Sequence, residues 1–149
     1  QLLLDFLGGV VGGRALAESS EAVMGGAKAL AGETQGVCTV LGESRPYPAH
    51  LAALLNGAFA HSMDFDDTHK EAVTHPGTPL FASLLAVAEQ TGASGREFLT
   101  AAIAGYDHAD ATRAEILAAA GIEDDGSIKD AVNLNNLDDW NGLHAAVTG

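Results

Sequence analysis

Apolar residues alternate with polar ones at mostly helical spacing. Leu2 to about Leu16 reads as a first helix. Ser19 or Ser20 can cap a second, running to about Ala31. GVCTVLG, from Gly36 to Gly42, is short and β-branched, so it is either one strand or an extended linker. RPYP breaks the chain at Pro46 and Pro48. A third helix is predicted from about Ala49 into the Asp66–Asp67 region. THPGTP breaks again, with Thr78 and Pro79 forming a cap-plus-first-residue start for a helix from Leu80 to Thr91. Ser94-x-x-Glu97 is a capping box that opens an Ala-rich helix through roughly Ala120. GIEDDGS is a polar turn, and no internal repeat is present. The fold class expected is all-α.

Two faces stand out. In the first helix, Gly8/Gly12 and Gly9/Gly13 form interleaved small-residue pairs, which let another helix approach closely. They match neither a dinucleotide-binding fingerprint nor a P-loop. In the third, Leu54, Gly57, His61, Asp64 and Thr68 are spaced 3, 4, 3 and 4 apart and share one stripe. That stripe begins apolar and ends polar, so Asp64 and Thr68 are expected at the inner end of a buried face.

Composition narrows the function. The 149 residues suit one domain. They are 47% hydrophobic but only 5% aromatic, so the core must come from Ala, Leu, Val and Ile, which suits closely packed helices. Twenty acids against seven bases give a net charge of −13. Such a surface repels phosphate, which argues against nucleic acids and anionic membranes as partners. The opening LLLDFLGGVVGG is too short to span a membrane and lacks a signal peptide's basic start. The single Cys38 has no partner for an internal disulfide. A cytoplasmic location is expected.

The chemistry concentrates in HSMDFDDTHKEAVTHPG, His61 to Gly77, with three histidines and three aspartates. His61, Asp64, Asp67, His69 and His75 are competent metal ligands, but their spacing matches no known framework. Asp66 and Asp67, if helical, point about 100° apart and do not readily share one ion. No tightly bound metal is therefore expected. A loop histidine beside an aspartate and a hydroxyl can instead remove a proton next to a carboxylate, since imidazole titrates near ~6.5. His61 reads as a packed helix residue, and His50 and His108 as surface or cap positions.

The strings LLNGAFAHSMDFDDTH and THPGTPLFASLLAVAEQTGASGREFLTAAIAGYD resemble the MmgE/PrpD family. The likeness begins at LLLDFLGG and is densest from Asn56 to Asp107. NGLHAAVTG, at the end, is similar to a later family segment. That family includes 2-methylcitrate dehydratases, cis-aconitate decarboxylases and iminodisuccinate epimerases. The resemblance implies a helical core domain, normally followed by a smaller α/β lid, in a homodimer. It also implies cofactor-independent lyase or isomerase chemistry on small polycarboxylates.

By position, the resemblance makes His75 the proton-transfer residue, His144 the second active-site histidine, and Asp64 a catalytic wall residue. Thr68, Asp67 and His69 fall to substrate binding. Residues 108–141 depart from the family pattern as an irregular segment. The start lacks the family's first helix, and the end precedes its downstream lysines and lid. Residues 1–149 are therefore expected to be a partial, truncated helical domain of a larger enzyme. The alternatives are a non-catalytic helical dimerisation fragment and a metal-dependent hydrolase.

Overall fold

A computed structural model describes residues 1–32, 34–69 and 74–106. They fall within one unit, Gln1–Ala109. The described residues form helices and no named strand: α1 (Leu2–Leu16), α2 (Ser20–Ala31), α3 (Ala49–His61) and α4 (Gly77–Thr91). A fifth, α5, starts at 95 and is described to 106. The remainder of the predicted long helix, the irregular segment 108–141 and His144 lie outside the described residues. None of the described helices is long and apolar enough to cross a membrane.

α3 makes its largest contacts with α1 and α4. It buries Leu51, Leu55 and Phe59 together with Ala52 and Ala60. α1 contributes Phe6 and Val10, and α4 contributes Phe81, Ala82 and Ala86. The small-residue core expected from the composition is present, but aromatic side chains anchor it. The Phe81 ring packs against Phe6 at 5.7 Å, Tyr106 at 5.9 Å and Phe98 at 6.3 Å, within the range of favourable ring pairs.

The glycine pairs of α1 divide. A Cβ at Gly13 would run into the Phe59 carbonyl of α3, and one at Gly9 would sit 3.2 Å from the Ala60 oxygen. Gly9 and Gly13 thus face α3, whereas a Cβ at Gly8 would meet nothing within 4 Å.

The GVCTVLG stretch is an extended linker rather than a strand. Its one pairing is an antiparallel bridge between Cys38 and Tyr47. The linker is held by buried Asn56, which donates to the Thr39 carbonyl (2.9 Å) and accepts from the Leu41 amide (3.0 Å). Cys38 is buried and donates to the Ala86 carbonyl at 3.2 Å. Burial, and secondarily Glu89, pushes its thiol above the usual range.

Three helix ends differ from expectation. Ser19 precedes α2 without a side-chain cap, and the Ser20 hydroxyl donates to the Arg14 carbonyl instead. α4 begins at Gly77 rather than Leu80, because Asp67 accepts from the Gly77 amide at 3.0 Å and satisfies the helix start from a distance. α3 ends at His61, five residues before Asp66, the start of the predicted end region. The Ser62 hydroxyl turns back onto the Ala58 carbonyl at 2.5 Å, and Asp64 takes a left-handed φ of 55°. The capping box at Ser94 and Glu97 forms as predicted, with the Ser94 amide donating to Glu97 at 2.8 Å and the Glu97 amide to the Ser94 hydroxyl at 3.3 Å.

Candidate active site

The early end of α3 decides how the site is built. His61 is the last residue of the helix, and the chain leaves it as a loop. The left-handed turn at Asp64 redirects that loop; aspartate is among the few non-glycine residues that tolerate it. His69 and Thr74 then pair antiparallel, with amide-to-carbonyl bonds of 2.9 and 3.3 Å. The pairing returns the chain so that His75 follows directly and α4 starts at Gly77. The expected stripe of His61, Asp64 and Thr68 along one helical face therefore does not exist, since only His61 is helical.

The loop brings its groups together by another route. The centre is Asp66, whose side chain is 5% exposed. Nδ1 of His61 lies 3.0 Å from both Asp66 carboxylate oxygens. Thr78, in the first turn of α4, donates its hydroxyl to Asp66 Oδ2 at 2.6 Å. Nδ1 of His75 is buried and lies 3.3 Å from Asp66 Oδ1, without the alignment of a hydrogen bond. The two imidazoles meet edge to face, with centroids 5.0 Å apart. Burial would raise the Asp66 carboxyl, but the hydrogen bonds from Thr78 and His61 outweigh it and hold it below its ordinary value.

Asp67, the next residue, faces the other way. Its Oδ1 accepts from the Gly77 amide and its Oδ2 from the Tyr106 hydroxyl at 2.9 Å. Asp67 thus ties the loop to α4 and α5. Burial first, and then the Asp67 carboxylate, raises the Tyr106 phenol far above its usual value, so it stays a donor.

A cleft of about 650 Å³ opens between α3 and α4 beside this cluster. Its walls are mainly apolar, with Ala53, Leu54 and Gly57 on one side and Pro79 and Ala82 on the other. His61, Asp66, His75 and Thr78 supply a polar end. An apolar cleft with a few converging polar groups is the usual form of a small-molecule site. His50 is exposed, as expected, and also borders the cleft. His61, expected to be packed, has a side chain 54% exposed and forms part of the wall.

Of the residues singled out from sequence, His75 and Asp64 come together here, in company with His61 and Asp66. Ligand atoms of these four all lie within 4.8 Å of one another. Two imidazoles and two carboxylates could close around a divalent transition ion, a set that no linear spacing motif reveals. Thr68 is exposed and His69 half-buried on the loop, and neither lines the cleft. Asp66 and Thr78 carry much of the geometry, yet the sequence marked neither as a site residue. No spacing pattern pointed to them: Asp66 lies nine residues before His75, and it is brought in by the left-handed turn at Asp64.

The comparisons with known proteins bear on the family. Over 82 residues the chain is 35% identical to the cis-aconitate decarboxylase-like protein oryM of Aspergillus oryzae. That stretch covers 50% of the chain and 17% of the relative, so the chain spans a small part of that protein's length. No solved structure matches. The MmgE/PrpD N-terminal domain matches residues 1–134, most of the chain and all of the cluster above. With helices alone among its described elements and that match along its length, the chain belongs to the MmgE/PrpD family.

Proposed function

We propose that this chain supplies the acid–base wall of a lyase or isomerase that removes a proton next to a carboxylate of a small polycarboxylate. The observation that carries the reading is His75, held against buried Asp66 at the polar end of an apolar cleft. The family and the decarboxylase-like relative support the reaction class. The 2-methylcitrate dehydratase type is the finer form of the proposal. In it, residues 1–149 are part of the helical domain of a cytoplasmic homodimer, completed by a lid.

The chemistry needs few groups. In a dehydration, a base takes the proton beside the carboxylate and an acid protonates the departing hydroxyl. In a decarboxylation, carbon dioxide leaves and an acid protonates the carbon left behind. In an epimerisation, the proton is removed and returned on the other face. An imidazole serves each step at neutral pH. Asp64 stands within the same cluster as a second carboxylate. Thr68, Asp67 and His69 belong to the substrate-binding part of the proposal, and His144 is its second histidine.

The test incubates the complete protein with 2-methylcitrate, cis-aconitate and iminodisuccinate in deuterated water, followed by NMR for product and for loss of the α-proton. His75→Ala should cut turnover by ~10²–10⁴-fold, the usual worth of a general acid–base group. A His75→Ala protein as fast as wild type would move the chemistry elsewhere.

One observation favours a second reading. The four-residue set of His61, Asp64, Asp66 and His75 has the composition of a metal site and suits a metal-dependent hydrolase. Elemental analysis separates the two. Stoichiometric zinc or iron, lost together with His75→Ala, would favour the metal.

A further inference from the structure

Both imidazoles at the polar end of the cleft turn the same ring nitrogen, Nδ1, toward one carboxylate. His61 Nδ1 is 3.0 Å from each Asp66 oxygen, and His75 Nδ1 is 3.3 Å from Oδ1. An ionised carboxylate can only accept. In a neutral ring, the His61 nitrogen bonded to it therefore carries the proton, and the same tautomer is the favourable one for His75 at 3.3 Å, which leaves Nε2 as the lone-pair atom. One carboxylate has the capacity for all of its partners, since two oxygens offer about four acceptor sites. Thr78 occupies one of them at 2.6 Å and keeps the carboxylate from rotating.

We propose that Asp66 is the positioning residue of this site: it holds His61 and His75 together as Nδ1–H tautomers, and so presents two basic Nε2 atoms to the same substrate. The proposal rests on the acid–base reading of the site and deepens it. It assigns His61, as well as His75, to the proton-transfer pair.

The geometry favours this reading over a merely structural aspartate. A structural aspartate would be satisfied by Thr78 and the backbone. Here the two rings that border the cleft both converge on it. The His75 contact is loose, and its Nδ1 is buried with no aligned partner. A buried donor without a partner is unfavourable, so the ring gains by closing the remaining gap to Asp66. Catalytic hydrogen bonds are commonly long in the free protein and tighten around substrate. Two imidazoles 5.0 Å apart can also divide the work. One takes a proton from carbon while the other gives one to the departing group or to the opposite face. The aspartate itself gives up no proton and touches no reacting atom, in the manner of the third member of a triad.

The test uses the complete protein with its histidines labelled with nitrogen-15, and reads each ring's tautomer from two-bond correlations at a pH where the rings are neutral. The expected wild-type result is Nδ1–H for both His61 and His75. Asp66→Asn offers an amide that can donate, so it should move His75 toward Nε2–H. It should also lower kcat by ~10²–10⁴-fold with a much smaller change in KM, because the base atom is lost while the cleft remains. Nε2–H rings in a wild-type protein whose turnover depends on His75 would overturn the role of Asp66 and leave the reaction in place. The wild-type measurement does not depend on how well the variant folds. A protein indifferent to His75→Ala would overturn both the reaction and this assignment. Unchanged tautomers and kcat in a folded Asp66→Asn protein would overturn the assignment alone.

Discussion

Asp66 and Asp67 are adjacent in sequence and serve different surroundings. Asp66 meets the imidazoles, whereas Asp67 meets the Gly77 amide and the Tyr106 phenol. Tyr106→Phe keeps the ring and removes one charge-assisted hydrogen bond to a half-buried carboxylate. It should cost about 1–2 kcal/mol, read by urea denaturation. The phenol's value in the folded chain is raised, so its contribution is fully present below pH ~10 and fades as the pH rises further. Asp66 has the opposite sign. Its value is lowered, so its contribution holds above pH ~4 and fades as the pH falls through the folded value. Tyr106→Phe should therefore narrow the gap from wild type at alkaline pH, and Asp66→Asn should narrow it in acid. The sequence displayed His75 and Asp64 through the HPG and DFDDT strings. Asp66 did not stand out, because its importance comes from the left-handed turn at Asp64, which no residue pattern announces.

At the level of helices, glycine placement can be read as a difference between two faces of α1. Gly13→Ala drives a methyl group into the Phe59 carbonyl, and a backbone oxygen cannot step aside. The helices must separate, at a cost of about 3 kcal/mol or more. Gly8→Ala meets nothing and gains helix propensity, up to ~1 kcal/mol. Paired denaturation curves of the two variants would check the contrast, and equal effects would refute the α1–α3 contact. The sequence showed both glycine pairs but not which one faces α3, since that depends on the crossing geometry. The helix ends were hardest to read. The 3 and 4 spacing of Leu54, Gly57, His61, Asp64 and Thr68 continued past the true end of α3, because spacing alone does not register the Ser62 back-bond to Ala58. α4 started early because its cap, Asp67, lies ten residues upstream, beyond any local capping pattern. The Ser94–Glu97 box was legible because all its partners are local.

Across the whole chain, charge and site stand in opposition. The net charge is −13, and the proposed substrates are di- or tricarboxylates. Among the described residues, no lysine or arginine lines the cleft. Arg14 is committed to Glu21 at 2.7 Å and Glu43 at 2.9 Å, and Arg45 lies over the Tyr47 ring. Negative charge that builds on a substrate carboxylate as its α-proton leaves needs cations or donors already in place. In the proposed enzyme these come from the complete protein, which also holds the substrate where His75 can reach it. The 149-residue chain by itself should then bind cis-aconitate weakly and turn it over undetectably. The sign of the salt dependence tests this more sharply than the affinity does. For the chain alone, binding is opposed by like charge, so raising the ionic strength from about 20 to 200 mM should strengthen it as the repulsion is screened. For the complete protein, binding rests on attraction, so the same change should weaken it. Calorimetric titrations at both salt concentrations would decide. Binding by the 149-residue chain that weakens with salt would show that cations within this segment already hold the substrate.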